Sequence, residues 1–199
     1  VPEEVTIIGK NAYHNLPELK TVKVGKNVTE IQSSAFCNCP KLIKVELPNT
    51  ISKISDNTFS KCTSLEDINI PSSVTVIGNG AFNECTSLTS IEIPSSVTAI
   101  GNGAFNECTS LASIEIPSGV KSIEDSTFAK CTSLTSITIP NSVTTIKSKA
   151  FEGCTALTSI TIPGSVTSIS SDAFSGCNNL TINFGGTLEE WYKLGLDSG

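Results

Sequence analysis

The chain has 199 residues and a mass of 20.9 kDa, with 13 basic residues, all of them Lys, against 19 acidic ones, a net charge of -6 and a pI near 4.8. That balance removes the phosphate attraction on which nucleic-acid binding rests, and no apolar run reaches the ~20 residues needed to span a bilayer. Charged residues make up only 16%, below the roughly 25% usual in soluble domains, so the surface is hydroxyl-rich and not ionic.

In chain order, Val5 and Ile8 stand one period before Val28 and Ile31, so the chain begins inside a repeated unit. With no Met anywhere, it reads as an excised piece, and further units or another domain are expected to precede it. The period then holds without interruption. Tyr13 opens a column continued at steps of 23 by Phe36, Phe59, Phe82, Phe105, Phe128, Phe151 and Phe174. Cys39, Cys62, Cys85, Cys108, Cys131, Cys154 and Cys177 keep the same step, as do eight leucines from Leu19 to Leu180. Residues 71–93 and 94–116 differ only at Val76/Ala99 and Thr89/Ala112, the mark of a recent duplication. Within the unit that begins at Leu88, Leu88, Ile91 and Ile93 form an L-x-x-L-x-L strand pattern, and Pro94 ends it by withholding a donor. Val97 and Ile100 supply a second apolar pair on the far side of the coil. Ala104, Phe105 and Cys108 follow in a segment too short for a full helix, read as a turn. One unit provides one core layer and cannot bury it alone. Stacked at the inter-strand spacing, eight coils make a rod or shallow arc roughly 40 Å long.

The combination of L-x-x-I-x-I-P, S-V-x-x-I-G and A-F-x-x-C-x-x-L resembles the BspA-like class of leucine-rich repeats, from Val1 to about Phe184. It departs from better-known leucine-rich repeats in placing Ser96, not Asn or Cys, at the ninth position, so no Asn ladder is expected there. The fold class that follows is a right-handed leucine-rich-repeat solenoid of short β-strands and turns: about eight 23-residue units over 1–184, the first one partial. The resemblance implies a surface-exposed, non-enzymatic protein associated with adhesion to host proteins and other cells.

After Leu180 the pattern loses one residue, so that Ile182 and Phe184 replace the pair formed by Ile160 and Ile162. Gly185-Gly186 turns the chain, and Thr187 followed by Glu190 is a capping box. A short helix from near Leu188, carrying Trp191, Tyr192 and Leu194, is therefore expected to plug the last coil within a cap of residues 185–199. The competing reading makes Trp191 a ligand-stacking platform.

Eight cysteines in a short chain raise the question of disulfides or metal. Their spacing of 23, with His14 as the only His, gives no converging ligand set, and no metal or cofactor is expected. Seven fill one column where small buried side chains are needed, and in the first unit Leu16 takes that slot. Cys37 lies outside the column and is expected to be exposed, either as an incidental thiol or as a partner for another chain or for Cys39. His14 is read as a solvated side chain, which leaves no nucleophile and base to pair. Gly78-Asn79-Gly80 and Gly101-Asn102-Gly103 read as turns and not phosphate cradles. Two N-x-[ST] sequons begin at Asn27 and Asn179, and both have a core residue in the middle.

What remains is the sheet surface. Period-two alternation predicts two outward columns: Thr21, Lys44, Asp67, Ser90, Ser113, Ser136 and Ser159, and beside them Lys23, Glu46, Asn69, Glu92, Glu115, Thr138 and Thr161. The candidate partner-binding face is Lys23, Lys44, Glu46, Asp67, Asn69, Ser90, Glu92, Ser113, Glu115, Ser136 and Thr138, on the concave side. Its charge runs from basic through acidic to neutral hydroxyl: eight Lys fall between Lys10 and Lys61, and none between Cys62 and Val120. Such zoning steers a complementary partner, or is simply a solvated face left by uneven drift among copies. The resemblance implies an extracellular or host protein as the partner; a glycan surface and a plain spacer are the alternatives.

Overall fold

In the computed structural model, which describes Pro2 and residues 4–195, the chain winds into a solenoid of about eight coils, with two parallel strands in each full coil except the one that carries Ser90–Ile93. One sheet face carries Thr21–Lys23, Lys44–Glu46, Asp67–Ile68, Ser113–Glu115, Ser136–Thr138, Ser159–Ile162 and Thr181–Phe184. The other carries eight two-residue strands, Ile7–Ile8, Glu30–Ile31, Lys53–Ile54, Val76–Ile77, Ala99–Ile100, Ser122–Ile123, Thr145–Ile146 and Ser168–Ile169. Most pairs keep the register of 23, as in Val22 opposite Val45 and Ile54 opposite Ile77. The last pair shifts to Ile160 opposite Ile182 and Ile162 opposite Phe184, the one-residue loss expected from the sequence. Both sheets are interrupted. On the first, Ser90–Ile93 pairs with neither neighbour and the ladder opens again between Thr138 and Ser159; on the second it opens between Ile31 and Lys53 and between Ile100 and Ser122.

The interior is a set of ladders running along the rod. Tyr13 and the seven column phenylalanines stack with ring centroids 5.2–5.7 Å apart and planes within 17° of parallel. Offset stacking of this kind adds about 0.5–1.5 kcal/mol per pair to the apolar area buried. Six of these rings, from Phe36 to Phe151, are completely buried.

Beside the rings, each column cysteine does more than fill space. The thiol of Cys62 donates to the carbonyl of Phe36 at 3.2 Å, and Cys85, Cys108, Cys131 and Cys154 repeat the bond to Phe59, Phe82, Phe105 and Phe128. The carbonyl of Phe59 therefore accepts twice, from the Cys62 N–H of its own coil and from the thiol of the next. Burial pushes these thiols up, Cys62 and Cys108 to about 12, because a thiolate would be stripped of water.

A second ladder occupies the position where an Asn ladder was not expected. Thr50, Ser73, Ser96, Ser142 and Ser165 each donate a hydroxyl to the carbonyl 22 residues earlier, Val28, Ile51, Val74, Val120 and Val143. Gly119 leaves the only unfilled rung between Ser73 and Ser165. Buried Thr58 and Thr127 satisfy their hydroxyls locally, on the carbonyls of Ser55 and Glu124.

Seven successive coils turn the corner through two residues of positive φ, at columns that include Asn57, Gly80 and Gly103, and Lys61, Glu84 and Glu107, and the last keeps only Gly176 of such a pair. Gly80 and Gly103 fit such positions without the Cβ penalty. Gly78 and Gly101 are required for a different reason: a Cβ there would stand 2.7 Å from the Asp56 nitrogen and 2.6 Å from the Asn79 nitrogen of the preceding coil.

At the far end Thr187 and Glu190 form the reciprocal box expected. The Glu190 N–H donates to the Thr187 hydroxyl at 3.2 Å and the Thr187 N–H to the Glu190 carboxylate at 2.7 Å, which holds that carboxyl below its usual range. The helix Leu188–Lys193 follows, and Trp191 leans on Phe184 with centroids 5.4 Å apart. Leu188 and Tyr192 remain exposed, so the plug is made by the indole and by Leu194, which packs against the core, and not by the whole helix face. Of the cap read over 185–199, the last four residues lie outside the described ones.

Candidate binding face

Alternation in the first sheet sends Val22, Val45, Ile68, Ile91 and Ile114 inward, each at most 8% exposed. Their neighbours must then point out. All eleven candidate residues, from Lys23 to Thr138, are exposed. Register brings Lys44 between Thr21 and Asp67, and Ser113 beside Ser136. Along the second column Lys23 pairs with Glu46 at 3.6 Å, and Glu115 stands opposite Thr138.

Six of the eleven residues share one open groove of about 790 Å³: Ser90, Glu92, Ser113, Glu115, Ser136 and Thr138. Pro94, Pro117 and Pro140, one from each successive coil, also line it. Lys23, Lys44, Glu46 and Asp67 lie outside it on earlier coils, while Asn69 lines an adjoining hollow of about 270 Å³ that Glu92 shares. The carboxylates of Glu18, Glu46, Glu84, Glu107 and Glu124 each take a Lys from an adjacent coil. Glu92 and Glu115 have none among the described residues. Exposed pairs of this kind are worth about 0–1 kcal/mol each and do not hold the rod together.

Sequence reasoning passed over the opposite sheet. There Lys10, Glu30, Gln32 and Lys53 border a hollow of about 500 Å³, and Val76, Gly78, Ala99, Gly101 and Lys121 one of about 450 Å³. The signal was present in the two-residue strands, whose first residue (Glu30, Lys53, Val76, Ala99) is followed by a buried Ile.

Three expectations need correction. Leu16, taken as an apolar stand-in for the cysteine slot, is 39% exposed, because the first coil has a neighbour on one side only. His14 is not a solvated side chain: it is half-buried in the turn after Tyr13, with Nδ1 shut off from water and without a hydrogen-bond partner among the described residues. Cys37 is half-buried and held by Ser60, not fully exposed, and burial raises its pKa. All eight cysteines are free thiols. Among the described residues, no group of three or more His, Cys, Asp or Glu converges as a metal site would require, and no helix is long and apolar enough to cross a membrane.

Comparison with known proteins agrees with this geometry. The family model for the BspA type leucine-rich repeat region matches in six copies over residues 1–98 and 75–194. The chain belongs to that family. A leucine-rich repeat protein from Bacteroides ovatus is 30% identical and superposes with a TM-score of 0.81, covering 92% of this chain and 56% of its own. The T. pallidum leucine-rich repeat protein is 35% identical, with a TM-score of 0.72 over 77% of this chain and 72% of its own. A third, from Eubacterium ventriosum, is 26% identical with a TM-score of 0.55, over 94% and 64%. The chain thus spans little more than half the length of the Bacteroides ovatus protein. Among curated proteins it has no match. The leucine-rich-repeat fold is in general a non-enzymatic scaffold for protein interactions, and nothing in the chain points to catalysis.

Proposed function

We propose that the chain is a non-enzymatic binding module of a longer extracellular or cell-surface protein, which recognises an extracellular protein partner through the first sheet. The observation that carries this reading is the convergence of exposed, charge-zoned side chains from successive coils on one face, with six of them around the groove of about 790 Å³. Rigid ladders beneath keep such a face in place without ordering cost at binding. The face has no aromatic or Arg anchor, so each contact is weak, with single-site affinity on the order of micromolar, and multivalent display supplies the rest.

The test is binding of the purified chain to extracellular-matrix proteins, plasma proteins and glycans at low and physiological salt. A hit that weakens with salt and is abolished by Lys23→Glu, Glu46→Lys, Glu92→Lys and Glu115→Lys together supports the reading. A glycan hit that survives high salt favours the carbohydrate alternative, for which Ser136, Thr138, Ser159 and Thr161 give a hydroxyl row. Silence across the panel favours a spacer.

A further inference from the structure

Within the proposed face, Glu92 and Glu115 are set apart by what surrounds them. They occupy one outward column on successive coils, whose core rings stack with centroids 5.4–5.7 Å apart, and both line the same groove. Like charges side by side on a sheet destabilise it. Elsewhere on this molecule the same cross-coil spacing is used to pair opposite charges: Lys23 with Glu46, Lys61 with Glu84, Lys130 with Glu107 and Lys147 with Glu124. Among the described residues neither Glu92 nor Glu115 pairs with a Lys, and the chain has none between Cys62 and Val120. The two carboxylates open into the groove of about 790 Å³, whose lining also includes Pro94, Pro117 and Pro140.

We infer that this groove seats an extended basic segment of a partner protein, with one Lys or Arg side chain shared between Glu92 and Glu115 and its aliphatic stem against the prolines. This rests on the sheet-face reading above and names the chemistry of the partner. Charge complementarity selects the cation, because a shared ammonium or guanidinium relieves the repulsion that the chain itself leaves uncompensated. The proline wall selects a side chain with a long apolar stem over a bare ion. A divalent cation is a poorer occupant, since calcium takes six to eight oxygen ligands and two carboxylates fall short of that set.

The probes are poly-L-lysine and poly-L-arginine of about twenty residues, with poly-L-glutamate as the opposite charge, titrated into ¹⁵N-labelled chain. The expected result is saturable shifts of amides within 90–118 with the basic peptides only, and about tenfold weaker binding to Glu92→Gln/Glu115→Gln. Glu18→Gln/Glu189→Gln removes the same charge elsewhere and should bind as wild type. Equal weakening in both double variants, shifts centred outside residues 90–118, or equal shifts with calcium alone would each overturn the inference. Failure of this inference is separable from failure of the sheet-face reading. A protein hit from the panel that survives Glu92→Gln/Glu115→Gln but falls with Lys23→Glu/Glu46→Lys sinks the inference and leaves the reading; a hit indifferent to all four substitutions sinks both.

Discussion

Residues 71–93 and 94–116 differ at two positions, yet the strands they carry behave differently. Ser113–Glu115 pairs with Ser136–Thr138, whereas Ser90–Ile93, identical over Ser90-Ile91-Glu92-Ile93-Pro94, pairs with neither neighbour. Inside the coil the two copies are alike: Phe82 and Phe105 stack 5.4 Å apart, and Cys85 and Cys108 make the same bond to a Phe carbonyl. The contrast separates two kinds of determinant. Core ladders are written into each unit, but pairing on the face depends on which unit lies next door. Glu115 meets Thr138 on one side; Glu92 meets Glu115. Charge is not the only cause of an open ladder, since the break between Thr138 and Ser159 involves hydroxyls alone.

If the interior is shared by all coils, the strongest perturbation should strike all of them together. The column thiols have folded pKa values raised above the ordinary 9.0, to about 12 for Cys62 and Cys108, so the native state holds protons that the unfolded chain releases. Stability from these thiols is fully present below pH ~9 and is lost as pH rises toward 12. Each buried thiol lowers the folding equilibrium by up to about tenfold per pH unit in that window. Denaturant melts from pH 8 to 11 should show a steep alkaline loss, with a slope one proton shallower in Cys108→Ala. A flat profile would mean that the thiols are already ionised or accessible.

Next come single changes that ought to cost the same in either copy. Phe82→Ala and Phe105→Ala each remove a fully buried ring and should destabilise by roughly 3–5 kcal/mol in urea titrations. Gly78→Ala and Gly101→Ala drive a Cβ into backbone of the preceding coil, at an expected cost of about 1–3 kcal/mol. A difference of more than about 1 kcal/mol within either pair would show that the copies are not equivalent inside.

The smallest effect lies on the face itself. Glu92→Thr reproduces the arrangement of Glu115 opposite Thr138 and removes a like-charge neighbour, for a gain of less than about 1 kcal/mol. Its readout is amide hydrogen exchange. Ile91 and Ile93 should exchange faster than Ile114 in the wild-type chain and slow in the variant. Equal protection of the three in the wild type would remove the distinction between the copies.

Much of this was legible from spacing alone. A period of 23 at Phe, Cys and Leu fixes what is buried, alternation fixes what faces out, and Thr187 with Glu190 marks the cap. Hydropathy could not tell that Cys, in a slot where Ala would also fit, is chosen for a weak donor that reaches the carbonyl of the coil before. Nor could it tell that Ser96 takes over the ladder role of an Asn, since a hydroxyl column looks like surface until its acceptors are known. Leu16 departed from expectation because its layer in the first coil is completed on one side only, and His14 because the turn after Tyr13 shuts its Nδ1 off from water. Ser90–Ile93 was illegible for a related reason: its state is set by residues 23 positions away on either side.

The account's central claim is that the ladders hold the rod while the first sheet face is left free to bind. Its most direct test is the variant carrying Lys23→Glu, Glu46→Lys, Glu92→Lys and Glu115→Lys, compared with wild type in thermal melts and against the same panel of matrix proteins. The account predicts a Tm within about 2 °C of wild type and loss of the salt-sensitive partner. A partner bound as tightly as before, or a chain that no longer folds, would contradict it.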